Sequence, residues 1–354
     1  MQKNETQFYD IESTQKIRSA ADYEKRVRTV RHAIMLLLGI SFIIFIAIAA
    51  FAVVKSGVGN FIRAFHSIEP LYYIAATLVL FLGYMIRFPK WEMYMKRLGI
   101  KINRRKNLAI YLSMYSMDIT PGRWGRSIVA YTINKLTGAK FSATFPAIVV
   151  DIFTDFLGFV VMLTIATVLV KGYYVITAIL IVLLLIPFVF FYSSTLFNIV
   201  QGKLRRVKRL KGFFRAARLY FKNHKRMGVD VYAYSMVFTI PAMFTNGLAL
   251  YLVILSFGVH IGLMYLPAVL FIFYFTLLLG MVTGVPGALG VTDVAMATSL
   301  TLFFQSLPAS YDITSATALG LASVVTIFYR IISIWFVQGF GSAALTYTFK
   351  YWKS

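Results

Sequence analysis

Apolar residues fall along this chain in blocks of about 20, the length an α-helix needs to cross the ~30 Å hydrocarbon core of a bilayer. Six blocks read as full crossings, at residues 33–54, 71–88, 143–170, 173–197, 231–257 and 313–347. Two more apolar stretches, 108–130 and 263–307, are interrupted by Pro-Gly segments: Pro121-Gly122 in MDITPGRWGR and Pro286-Gly287 in GVPGALG. The pattern predicts an all-α polytopic membrane protein.

The polar blocks between the crossings orient them. Residues 87–106 hold eight Lys/Arg against one acid, Glu92, and residues 203–226 hold eleven and no acid. The connections near 55–69, at 171 and at 258–262 carry three basic residues, Lys55, Arg63 and Lys171. Positive charge accumulates on the cytoplasmic side of membrane proteins, so both basic loops and both termini are expected inside the cell membrane. Residues 1–32 then form a cytoplasmic N-terminal basic segment, and 33–354 a single transmembrane domain with a basic loop at about 201–228. In that loop Val207, Leu210, Phe214, Ala217 and Phe221 recur at helical spacing, which predicts an amphipathic helix on the membrane surface.

This orientation constrains the interrupted stretches. Arg104, Arg105 and Lys106 precede the first, and Lys135 and Lys140 follow it, so it enters the membrane and turns back on the inside. The second has both ends outside. Two re-entrant hairpins of opposite orientation, each between flanking crossings, make an inverted repeat with the Pro-Gly tips at a central site. Irregular backbone at membrane depth is tolerated where protein or a water-filled cavity surrounds it. Thr120 is placed to cap a helix that starts at Pro121, and Thr292 and Asp293 to do the same after Gly290.

Composition narrows the chemistry. The chain of 354 residues is 59% hydrophobic and 14% charged, which no soluble domain can bury. It has no cysteine, so disulfides, iron–sulfur clusters and thiolate metal sites are excluded. Its histidines, His32, His66, His224 and His260, stand singly, and no metal or other cofactor is expected. The net charge of +23 sits in loops between spans, which points to anionic membrane surface and not to nucleic acid. No phosphate-cradling, zinc-protease or serine-hydrolase motif is present, and the chain is not expected to be an enzyme.

Charges inside apolar sequence mark the candidate site. Asp151 and Asp155 lie four residues apart, on one face of a helix, and Arg330 lies within the last crossing. Asp118, Arg123, Arg126 and Asp293 border the Pro-Gly tips. A charge at the bilayer centre costs at least about 2.5–3.5 kcal/mol, so such residues face a cavity or pair. Asp151, Asp155 and Asp293 are all candidate partners of Arg330, either in a structural pair or along a polar path. Arginine forks and helix N-termini both suit phosphate oxygens.

These residues carry a resemblance. Pro-Gly-Arg-Trp-Gly at 121–125, Val-Val-Asp-Ile-Phe-Thr-Asp at 149–155, Pro-Gly-Ala-Leu-Gly-Val-Thr-Asp at 286–293 and Phe-Tyr-Arg at 328–330 follow one another in that order. The series resembles the lysylphosphatidylglycerol synthase/flippase transmembrane family, whose pattern runs P-G-R-x-G-E, E-R-x-x-D, P-G-G-x-G-x-R-E and Y-R. Gly122, Arg123 and Gly125 match the first motif, Asp151 and Asp155 the acidic positions, Gly287 and Gly290 the third, and Arg330 the last. With Arg126 and Asp293 they form the candidate substrate-binding set. Arg126 stands where the pattern has glutamate, and Ile152 and Thr292 where it has arginine, so headgroup preference is expected to differ. The resemblance implies a flippase-like transporter of an anionic phospholipid or polyprenyl-linked lipid. The alternative is a non-transporting subunit that binds a lipid-linked substrate for a separate glycosyl- or aminoacyl-transferase. Synthase activity is not expected, since the family's fused catalytic domain is not seen.

Overall fold

The computed structural model describes residues 57–118, 120–170, 227–283, 288, 290–311 and 313–351, with isolated positions between 36 and 54 and between 175 and 199. The predicted crossing at 173–197, most of that at 33–54, the basic loop and its amphipathic helix, and Pro286 and Gly287 lie outside the described residues. Contacts divide the chain into two units, Met1–Ile46 and Ala47–Ser354. The described positions of the first unit are helical. All that follows concerns the second.

Eleven α-helices are found among the described residues, and no strand. They are α1 (Val58–His66), α2 (Pro70–Ile86), α3 (Phe88–Arg97), α4 (Arg104–Ser113), α5 (Ile128–Thr137), α6 (Phe141–Val170), α7 (Val229–Ser256), α8 (Leu266–Thr283), α9 (Val291–Gln305), α10 (Ser315–Arg330) and α11 (Val337–Tyr351). The protein is an all-α polytopic membrane protein. Five stretches are long and apolar enough to cross a membrane: Pro70–Arg97, Ala143–Val170, Val229–Ser256, Leu263–Met281 and Thr317–Lys350. Four coincide with crossings read from the hydrophobic blocks. The fifth is the first arm of the second interrupted stretch.

Local signals set the helix ends. Pro70 opens α2 at a position where its missing N–H costs nothing. The Asn103 side chain accepts from Arg105 N–H at 3.0 Å and starts α4. Gly138 ends α5 in the left-handed conformation (φ 68°), its N–H returning to Asn134 O. Between α2 and α3, Pro89 cannot donate, and the helix is broken at Arg87 without a change of hand.

The two interrupted stretches are built differently. In the first, the break is filled by 3₁₀ turns at Met114–Met117 and Pro121–Ser127, between arms of 10 residues each. Such an arm spans about 15 Å, half the hydrocarbon thickness. In the second, α8 has 18 residues and α9 has 15, or roughly 27 and 22 Å. The halves are therefore unequal in depth.

Packing brings the arms into the body. The α2 helix lies along α7, α6 lies along α7 and α8, and α11 packs on α4 and its 3₁₀ extension. Small residues permit the closest approaches, as in membrane bundles generally. A methyl on Gly341 would sit 2.5 Å from Ser116 N, so α11 touches the backbone of the first break directly. Tyr111 and Tyr115 tie the same segment to α2, their hydroxyls 2.7 Å apart and Tyr111 donating to Tyr84 O at 2.8 Å.

Candidate functional site

The 3₁₀ turn at Pro121–Ser127 faces α6, and its arginines meet the α6 aspartates there. Thr120 organises the turn: its hydroxyl accepts from Gly125 N–H at 2.7 Å and donates to Met117 O at 2.8 Å. Thr120 stands at the N-cap position as expected but makes no capping bond to the first-turn N–H groups; its hydroxyl reaches Gly125 instead. Gly125 has no room for a side chain, since a methyl there would lie 2.6 Å from Met117 Cβ. Arg123 adopts φ 58°, a left-handed conformation that costs a non-glycine residue roughly 1–2 kcal/mol.

Arg126 is the hub. Its Nε and Nη2 donate to the two oxygens of Asp118 at 2.5 and 3.0 Å. Its Nη1 donates to Asp151 Oδ2 at 2.6 Å and to Asp155 Oδ2 at 3.2 Å. The Tyr115 ring lies under the guanidinium, 5.2 Å from centroid to Cζ. Arg123 Nη1 reaches Asp155 Oδ2 at 3.1 Å and its Nε lies 3.8 Å from Asp118. Asp151 and Asp155 thus do share a face and a site, and Asp118, Arg123 and Arg126 converge on them.

Two further cations complete the cluster, and both were counted in the basic block at 87–106 without being singled out as site residues. Lys90 is fully buried, donating to Asp155 Oδ1 at 2.8 Å and to the Thr154 and Thr239 hydroxyls at 3.3 Å. It lies 3.0 Å from Asp151 Oδ1, outside hydrogen-bond geometry. Arg87 is buried too, 3.9 Å from Asp155, against Met243 Sδ at 3.4 Å and over the Tyr84 ring. Tyr94 extends the network, 3.3 Å from Thr154 Oγ1 and 2.8 Å from Ser235 Oγ. Residues 87–106 are therefore not simply a loop. Arg87 and Lys90 share a helical face with Tyr84, Trp91 and Tyr94, and that spacing was the available signal.

Four cations (Arg87, Lys90, Arg123, Arg126) thus surround three carboxylates (Asp118, Asp151, Asp155), leaving one positive charge in excess. Three of the four cations are 5% exposed or less at the side chain, whereas Arg123 is 36% exposed. It is the cluster's open face.

Arg330 is elsewhere. Its Nε pairs with Asp293 on α9, which settles the three-way choice of partner left by the sequence. Asp293 also accepts from Gly290 N–H at 2.8 Å and so caps α9 as expected. Thr292 does not cap: its buried hydroxyl has no hydrogen-bond partner among the described residues, and neither has Arg330 Nη2. A π-helical turn, Ile331–Phe336, follows Arg330 directly. The ten sequence-picked residues therefore fall in two groups. Arg123, Arg126, Gly122, Gly125, Asp151 and Asp155 belong to the first break, and Gly290, Asp293 and Arg330 to the second. Gly287 is outside the described residues.

Arg126, which stands where the motif pattern has glutamate, donates to Asp151 from the facing turn.

Residues 35–341 match the family described as the lysylphosphatidylglycerol synthase TM region. A UPF0104 membrane protein of Methanothermobacter thermautotrophicus is 22% identical over 341 residues, covering 89% of this chain and 95% of the relative. A UPF0104 membrane protein of Methanocaldococcus jannaschii is 23% identical over 337 residues, covering 87% and 92%. The chain belongs to the lysylphosphatidylglycerol synthase transmembrane-region family.

Proposed function

We propose that the protein is a flippase-like transporter that moves an anionic or headgroup-modified lipid between leaflets of the cell membrane, without catalysing a reaction of its own. One observation carries this reading: the cluster at the first break holds one positive charge more than its carboxylates balance, and its open side chain is Arg123. An uncompensated charge away from water is costly, and an anion at the open Arg123 face offsets it. Arginine presents a fork that fits two phosphate oxygens. A lipid phosphate is the anion such a depth supplies.

The same reading keeps both termini cytoplasmic and treats the first break as a re-entrant hairpin, whose arms have the length for half-depth. The longer α8–α9 pair serves as its counterpart from the other face. A deep hairpin and two full crossings leave the flanking segments on the same side, so the orientation does not depend on the difference. The test is reconstitution. Purified protein in liposomes should move labelled phosphatidylglycerol between leaflets faster than protein-free liposomes do. Binding without any acceleration would favour a lipid-presenting subunit for a separate transferase.

A further inference from the structure

The basic end of α2 and α3 carries a second lipid-facing feature that shares no residue with the charge cluster. A groove of about 550 Å³ opens between the start of α3 and the start of α4. Met85, Phe88, Pro89 and Leu108 form its floor, and Arg104 and Arg105 stand on its rim. Helix geometry separates groove from cluster. At 3.6 residues per turn, positions 85, 88 and 89 lie on one side, and the buried Arg87 and Lys90 on the other.

The rim is positively charged. Arg104 Nε lies 3.3 Å from Glu92 Oε1, and both arginines are exposed. The guanidinium of Arg105 has no partner among the described residues. Two arginines against one carboxylate leave one positive charge free. Depth matches as well. Met85 and Pro89 follow Pro70, where the span begins, by 15 and 19 residues. Along a helix this is roughly 22–28 Å, close to the far boundary of a ~30 Å hydrocarbon core. Floor and rim therefore straddle the level where acyl chains give way to phosphates.

We infer that this groove binds an anionic glycerophospholipid of the leaflet on the basic side, with its phosphate on Arg104 and Arg105 and an acyl chain on Met85, Phe88 and Leu108. A soluble phosphate would use the rim and leave the apolar floor wet. A zwitterionic lipid carries its own cation beside the phosphate and gains less from the free Arg105. The groove lipid holds the joint between α3 and α4, which the Trp91 Nε1–Asn107 Oδ1 hydrogen bond at 3.0 Å supports from beneath. It does not depend on transport through the cluster.

The experiment counts bound lipid by native mass spectrometry while detergent-purified protein is titrated with short-chain phosphatidylglycerol or phosphatidylcholine. It is run in the wild-type and Arg123→Ala backgrounds. Phosphatidylglycerol should bind about tenfold more tightly than phosphatidylcholine in both, a factor within reach of one hydrogen bond to a charged group. The double variant Arg104→Gln/Arg105→Gln should lose that preference, and Leu108→Trp should weaken binding of both lipids by filling the floor. Lys96→Gln/Lys101→Gln, the same charge change off the groove, should have no effect. The inference is overturned if the arginine pair and Leu108→Trp both leave binding unchanged, or if millimolar inorganic phosphate displaces the lipid. Binding that disappears with Arg123→Ala would also overturn it, since the lipid would then belong to the central cluster. Loss of transport with groove binding intact would instead count against the transporter reading alone.

Discussion

Replacing Arg126 by methionine, which keeps the unbranched apolar stem but not the guanidinium, probes the cluster at its hub. Asp118 would lose both short contacts, at 2.5 and 3.0 Å, and keep Arg123 Nε at 3.8 Å. Asp151 would lose its 2.6 Å partner and keep Lys90 at 3.0 Å, and Asp155 would keep Lys90 and Arg123. The damage therefore concentrates on Asp118. Breaking a buried pair from one side costs about 3–5 kcal/mol, mostly the penalty of the stranded charge. Unfolding in mixed detergent micelles, followed by tryptophan fluorescence through the buried Trp91, measures the loss. Adding Asp118→Asn should recover part of it, with a coupling of roughly 0.5–3 kcal/mol between the two sites. A loss below about 1 kcal/mol for Arg126→Met would refute the hub role. A double variant whose loss equals the sum of the single losses would do the same.

Other consequences are simpler to read. Gly341→Ala should destabilise strongly, because its methyl meets the backbone of Tyr115 and Ser116, whereas Gly247→Ala meets the end of the Leu270 side chain and should cost less, within the about 1–3 kcal/mol of an added core methyl. Equal losses from the two, in the same unfolding measurement, would contradict the close packing of α11 on the first break. Because the chain has no cysteine, Lys101→Cys and Met264→Cys can be labelled singly. Both side chains are exposed, and an impermeant thiol reagent on intact cells should reach Met264→Cys but not Lys101→Cys. Labelling of both from one side would sink the proposed orientation.

Much of this fold was legible because the bilayer imposes a length and every backbone group must be bonded. The span-length apolar stretches Pro70–Arg97, Ala143–Val170, Val229–Ser256 and Thr317–Lys350 follow directly from apolar block length. Asp151 and Asp155 were legible as a pair from spacing alone. Three things were not. Arg87 and Lys90 sit at the edge of a basic block, and a charge count carries no direction, so two of the cluster's four cations read as loop. The partner of Arg330 depended on a distance between helices far apart in sequence. The breaks also looked alike as dipeptides, yet the first is closed by 3₁₀ turns between short arms and the second joins two long helices. Pro-Gly marks where a helix stops without fixing how much helix precedes it.

Arg123 is the residue on which the proposed lipid path turns, because it alone among the cluster's cations combines a contact with Asp155 and an open side chain. Arg123→Gly is the sharpest form of the test. It removes the guanidinium while relieving the φ of 58°, so stability should hold or rise by about 1 kcal/mol. Arg123→Lys keeps the charge but not the fork and should transfer lipid at an intermediate rate. The measurement is leaflet-to-leaflet transfer of labelled phosphatidylglycerol in liposomes, beside the unfolding midpoint of each variant. A folded Arg123→Gly protein should transfer lipid at least tenfold more slowly than wild type, the loss of one charge-assisted contact. Wild-type rates from a folded Arg123→Gly protein would contradict that expectation and take this arginine off the lipid's path.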